Sequence, residues 1–313
     1  MTKGDIMTIK DSLKIKQPEK VEDVITNFIK DSVSKFHRDG AIIGLSGGID
    51  SALAALLTVK ALGKENVIAL FMPERDSSPK SEKDAMLVAN SLNINLKKVN
   101  LTPILNEIGV YKLEPPARFI PRIIQKKYVL NKYMKFQDEN ETTFLKSLKG
   151  GEGIDELKRG IAYHRIKHRL RMVMWYYYAE LYNYLVIGCC NKTEKLTGYF
   201  VKYGDSGSDI DSIATLYKTQ VKELARFIGV PEQIIEKSPS PDLMPGMTDE
   251  FALQMKYENL DMILYGFEHK IPEAEIEKEA GVTPKDINYV KQLMDLSRHM
   301  REIPPSPDLK DLL

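Results

Sequence analysis

The residues best placed to do chemistry lie together in Ser46-Gly47-Gly48-Ile49-Asp50-Ser51. A short apolar run precedes them and an alanine-rich apolar stretch follows. A strand, a glycine pair and a helix start point backbone N–H groups at an anion. The Ser46 and Ser51 hydroxyls add donors. Gly47 and Gly48 let the chain turn sharply and approach a ligand. The string has the form of a phosphate cradle, yet it lacks the lysine that a Walker loop sets near the β- and γ-phosphates. Asp50 takes the helix start instead. A carboxylate beside a polyphosphate repels it unless a divalent cation lies between, so Asp50 is a candidate magnesium ligand. A glycine turn capped by serine and aspartate is also an ordinary helix start. The full string after a strand favours phosphate.

The elements around this turn must position it. Apolar residues at helical spacing from Val21 to Phe36 predict a helix over 19–38, ended by Asp39-Gly40. Strands are predicted over 41–45, 66–71, 96–99 and 184–188, with helices over 49–62, 81–92, from 102, over 156–183 and over 217–228. Two or three helices follow Glu250. The β-α-β-α-β rhythm implies an α/β fold, a doubly wound parallel sheet flanked by helices. Such sheets bind ligands at the carboxyl ends of their strands, where the Ser-Gly-Gly turn lies. Residues 113–158 break the rhythm with prolines, a Lys/Tyr-rich piece and Gly150-Gly151-Glu152-Gly153. They read as an insertion or mobile lid within a single domain spanning 1–313.

Composition is that of a globular protein: 313 residues, 43% hydrophobic, 28% charged, net charge +1. Balanced charge gives no case for nucleic acid or membrane. No signal-peptide core and no run of about 18 apolar residues is present, so a cytoplasmic protein is expected. The two cysteines, Cys189 and Cys190, are adjacent, which suits reduced thiols better than a disulfide or a metal site. His164 and His168 are four apart on a predicted helix, but neither an HExxH glutamate nor a third ligand accompanies them, so zinc is not expected.

The SGGxDS string resembles the ATP pyrophosphatase (PP-loop) family, whose members transfer AMP and release pyrophosphate. Further stretches narrow the resemblance to ammonia-dependent NAD synthetases. Ala69–Pro73 with Ser77-Ser78-Pro79 resembles that family's segment near adenosine, and Arg169-Leu170-Arg171-Met172 its central helix. The run Gly188 to Asp205, then Leu216–Val221 and Pro245–Glu250, follow in the family's order. The likeness covers roughly 20–310 and is weak over 113–158. It implies an adenylating amide ligase that uses ATP and Mg2+, with deamido-NAD (nicotinic acid adenine dinucleotide) and ammonia as substrates. By resemblance, Asp50 and Glu194 share the magnesium. Lys218 reaches the ATP phosphates, Thr193 lies beside Glu194 in a nucleotide-facing turn, and Ser46, Gly47, Gly48, Asp50 and Ser51 also bind ATP. Lys202 and Asp205 face the second nucleotide, and Arg169 helps hold it. Asp50, Lys218 and Asp205 are the implied catalytic residues. The family also implies a homodimer. No glutaminase domain fits before residue 41, so free ammonia or a separate donor is the expected nitrogen source.

Taken alone, several of these residues have ordinary readings. Glu194 suits a solvated helix start, Lys218 a helix surface and Asp205 a turn. Arg169 and Arg171 cannot share one helix face. The chain also departs from the family's pattern on the acceptor side. Arg165 stands where asparagine is usual, His168 where alanine is, and Cys190 where glycine or aspartate is common. Met244 and Met247 replace tryptophan and glutamine. Arg165 would add a cationic contact for an extra anionic group. Amidation of a different carboxylate, a tRNA-modifying PP-loop enzyme and a non-catalytic nucleotide binder are the other readings.

Overall fold

The computed structural model describes residues 8–114, 122–139, 141–240 and 246–308. Five parallel strands form one sheet: β1 (Gly40–Gly44), β2 (Val67–Phe71), β3 (Asn95–Lys98), β4 (Tyr184–Gly188) and β5 (Ile210–Asp211). Their spatial order is β3-β2-β1-β4-β5, with every neighbouring pair parallel. The direction of winding reverses between β1 and β4. Loops leaving two such strands diverge to opposite faces and open a crevice at their carboxyl ends.

Residues alternate between the two faces of the sheet. Ala41 and Ile43 pack with Leu185, Ile187, Leu53 and Leu57 under the helices Pro18–Lys35, Ile49–Leu62 and Lys218–Ile228. Ile42, Leu70 and Val186 face the other way, against Tyr163 and Ala179 of the long central helix Asp155–Tyr182. Burial on both faces explains why the strands are continuous apolar runs. A third cluster, with Leu260, Ile263, Ile287 and Val290, joins the helices Tyr257–Glu268 and Pro284–Arg301.

The expected strands and helices appear with ends shifted by at most three residues; the helix expected over 19–38 spans Pro18–Lys35. Two features differ. β5 has two residues, too few to leave an alternating pattern. The expected irregular stretch over 113–158 contains the helices Arg122–Lys135 and Thr143–Leu148. They are anchored by buried Leu145, by Tyr133 donating to the Ala252 carbonyl and by Thr143 donating to the Tyr133 carbonyl. Their lysines and flanking glycines masked a helical pattern that tertiary contacts complete. Pro115-Pro116 and Pro121 lie outside the described residues. Among the described residues, no helix is long and apolar enough to cross a membrane.

Candidate active site

The Ser46–Ser51 turn leaves β1 and enters the helix Ile49–Leu62 at the reversal point. It is held by its own donors. The Ser46 hydroxyl accepts from Gly48 N and lies 3.1 Å from the Ser51 hydroxyl, which donates to the Gly48 carbonyl. Gly47 has φ +76°, and a Cβ there would meet the Ser81 carbonyl at 2.7 Å. The site therefore needs glycine for both its backbone conformation and its space.

The lysines missing from the turn arrive from elsewhere. Lys218 starts its helix with its ammonium 2.5 Å from Asp50 Oδ2 and 3.5 Å from Glu194 Oε1. Lys237 donates to the Gly47 carbonyl at 3.1 Å and pairs with buried Asp84 at 2.8 Å. Asn191, at the end of β4, donates to Asp50 Oδ1 at 2.8 Å. The same Asn191 caps the Lys192–Thr197 helix in a capping box whose second member is Glu194. Thr193 is fully buried; its hydroxyl donates to Asp261 and accepts from Lys218 N. It is a strut beneath the cavity wall that fixes the Lys218 backbone.

Charge is concentrated here. Burial and the neighbouring Asp50 push the Glu194 carboxyl up to about 8, against the pull of Lys218. Burial likewise raises Asp249, which accepts from the Tyr199 and Tyr257 hydroxyls. Burial acts to lower Lys218, but Asp50, Glu194 and Asp249 outweigh it and keep the ammonium firmly charged. Among the described residues, no cluster of three or more His, Cys, Asp or Glu side chains could hold a metal unaided.

These groups open onto a cavity of about 900 Å³ shared with the central helix. Ile161, His164, His168, Arg171 and Trp175 line it at intervals of three and four residues, one helix face, with Arg165 at its edge. Trp175 lies against β1, where a Cβ on Gly44 would meet its ring at 2.5 Å. Asp205, Phe200 and Tyr199 also line it. A separate cavity of about 210 Å³ is lined by Arg165, Arg169, Lys202, Tyr203 and His299. The expected acceptor residues thus divide. Arg165 touches both cavities, Arg169 and Lys202 only the smaller, and Asp205 only the larger. Of the two arginines two residues apart, Arg171 faces the main cavity. Cys190 is buried with its thiol toward the Asp205 carbonyl, and burial pushes both cysteine thiols up, away from nucleophilic reactivity. Met247 is buried, whereas Met244 lies outside the described residues.

One network carried no local sequence signal. Lys167, fully buried, donates to Glu74 at 3.1 Å and Asp76 at 2.8 Å. Tyr163 bonds to Asp76, and Tyr111 donates to Glu74 at 2.9 Å. Arg75 lies at 4.0 Å over the Tyr111 ring and donates to Asp76 and Tyr163, so it is clamped at the cavity wall.

The family model for NAD synthase matches residues 21–117 and 125–304. The chain belongs to the NAD synthase family. An NH(3)-dependent NAD(+) synthetase from Thermotoga maritima is 45% identical over 285 residues, covering 91% of this chain and 98% of that protein. Its counterpart from Methanocaldococcus jannaschii is 39% identical, covering 93% and 97%. Among solved structures, NMN synthetase from Francisella tularensis matches with TM-score 0.69 and 27% identity over 93% of this chain and 98% of that one. The NH3-dependent NAD synthetase from Campylobacter jejuni matches with TM-score 0.64 and 26% identity over 93% and 99%. The family thus fits both the sheet order and the turn at its reversal point.

Removing one partner of a buried charge network leaves the others unpaired and costs about 3–5 kcal/mol. Lys167→Met is expected to lose stability on that scale in urea titrations at neutral pH. Burial raises Asp76, but Lys167, Tyr163 and Arg75 outweigh it and hold the carboxyl below its ordinary 3.8. The stabilisation from Asp76 is therefore present above about pH 4 and lost as pH falls through its lower folded value. The gap between wild type and variant should narrow over that range.

Proposed function

We propose that this protein is an ammonia-dependent NAD synthetase. It adenylates the nicotinate carboxylate of deamido-NAD with ATP, releases pyrophosphate, and then lets ammonia displace AMP to give NAD. The carrying observation is the meeting of the Ser46–Ser51 turn, Asp50, Glu194 and Lys218 at the sheet's reversal point, in a chain of the NAD synthase family. A carboxylate is a poor acceptor of ammonia because oxide would have to leave. As an acyl adenylate its leaving group is AMP, and the barrier falls.

The residues take roles by position. The turn's N–H groups and hydroxyls bind phosphate oxygens, while Lys218 and Lys237 stabilise charge on the departing pyrophosphate. Asp50 and Glu194 offer hard oxygen donors. Magnesium is usually held by one or two carboxylates together with substrate phosphates, so this pair suits an ion that arrives with ATP. A bound ion would neutralise polyphosphate charge as pyrophosphate leaves. Arg165, Arg169 and Lys202 supply cationic contacts for the dinucleotide, with Asp205 facing the reacting carboxyl region. The helices Arg122–Lys135 and Thr143–Leu148, which line the main cavity through Tyr128, Lys132 and Phe144, serve as its lid within a single domain. Two free thiols suit the cytoplasm. Free ammonia or a separate donor supplies the nitrogen.

The proposed partner is a second copy of the chain. Val173, Tyr177 and Leu181, spaced by four on the central helix, are all more than half exposed and form an apolar stripe. If this stripe is the dimer contact, Tyr177→Glu with Leu181→Arg converts the dimer to monomer in analytical ultracentrifugation; an unchanged dimer would place the contact elsewhere. Activity is tested by incubating the protein with ATP, magnesium, ammonium and deamido-NAD. NAD and AMP should form in equal amounts, and Asp50→Ala should lower both by about 100-fold or more. AMP release with another carboxylate, and none with deamido-NAD, would redirect the reading to a different acceptor.

A further inference from the structure

His168 and Asp205 are brought together by an approach that only glycine permits. A Cβ on Gly204 would lie 2.9 Å from the His168 Cβ. His168 Nδ1 therefore stands 3.6 Å from Asp205 Oδ1. The turn carrying Asp205 is rigid: Val201 N donates to the same Oδ1 at 2.7 Å, Gly204 N to the Val201 carbonyl, and Gly207 N to the Gly204 carbonyl. Both side chains line the main cavity, as do the rings of Phe200 and Tyr199.

We propose that His168 is a catalytic base that takes a proton from ammonium held by Asp205, generating the ammonia that attacks the acyl adenylate. This rests on the proposed function. The carboxylate and the aromatic rings attract a small cation. An imidazole is a stronger base than an ordinary carboxylate and is better suited to deprotonating it. Ammonium gives one proton to the neutral imidazole, leaving ammonia and imidazolium, with Asp205 facing the new charge. The ammonia lone pair then forms the C–N bond. The bond to AMP breaks, and AMP leaves with the electron pair. The second nitrogen proton passes to water as the tetrahedral centre collapses.

The surroundings fit a base that is free of its proton at neutral pH. Burial holds His168 below its ordinary value, and Arg171, Lys167 and Arg169 on its own helix add to this; Asp205 from the facing turn opposes them. His164, also on that helix, is itself held neutral, chiefly by burial. Asp205 is thus the counter-charge that makes transient protonation of His168 attainable.

His168→Asn keeps an N–H donor on the side of Asp205 but cannot take the proton, and His168→Ala removes both. Two readouts separate chemistry from folding: ATP–pyrophosphate exchange with deamido-NAD, which reports adenylation, and NAD formation from ammonium. Both variants are expected to keep exchange within about twofold and to lose NAD formation at pH 7 by about 10-fold to 100-fold. The deficit should close as pH rises and solution ammonium becomes ammonia, since the bulk then does the work of the base. A deficit that stays constant with pH, NAD formation equal to wild type, or loss of exchange in step with NAD would each overturn the assignment. A wild type that makes no NAD would overturn the parent reading and this one with it. An active wild type with a pH-independent deficit overturns this one alone.

Discussion

The ion pair between Asp50 and Lys218 is the constraint around which the site is assembled. One carboxylate sits at the first turn of the helix after β1, and the ammonium begins a helix that follows β5. Only the reversal of strand order between β1 and β4 brings them together. The surroundings are low in water and rich in acid, with Glu194 and Asp249 close by. Burying such charges is expensive unless each finds a partner. Asn191 and Lys218 serve Asp50, two tyrosines serve Asp249, and the Thr193–Asp261 strut fixes where Lys218 can stand. In the proposed reading this excess of acid is matched by a divalent cation that comes with the nucleotide.

The central helix organises everything else. One face buries Tyr163 and Ala179 on the sheet and fixes Lys167 among Glu74 and Asp76. The next presents His164, His168 and Arg171 to the main cavity. A further rotation carries Arg169 to the smaller, cation-lined cavity. A single helix thereby lines both cavities, with Arg165 at the boundary. Two of this chain's departures from the family's pattern, Arg165 and His168, lie on that helix. Both line the main cavity, and Arg165 also donates to the Ser147 carbonyl.

What could be read from the sequence was what is local. The strands β1, β2 and β4 were legible because double-sided burial writes continuous apolar runs. The Ser46–Ser51 turn was legible because its glycines and hydroxyls are neighbours. β5 was not, since two residues carry no period. The helices within 113–158 were hidden because their apolar positions are few and their anchors, such as the Ala252 carbonyl, lie far along the chain. Lys237 and Lys167 look like surface lysines in sequence; their partners are 190 and 93 residues away. Asp50 and Glu194 are expected to act together, and the fold sets both against one ammonium, that of Lys218. Arg169 and Lys202 were nominated beside Asp205, and the fold parts them by cavity.

Whether Asp50 serves a cation that accompanies ATP is tested most directly by calorimetric titration of ATP with and without magnesium. Wild-type protein is predicted to bind ATP at least about tenfold more tightly with magnesium, the scale of one well-placed charge contact of roughly 1.4 kcal/mol. Asp50→Asn, which keeps the side chain's shape, should bring the two affinities within about twofold. An unchanged magnesium dependence in Asp50→Asn would contradict the account and leave Asp50 as no more than the partner of Lys218.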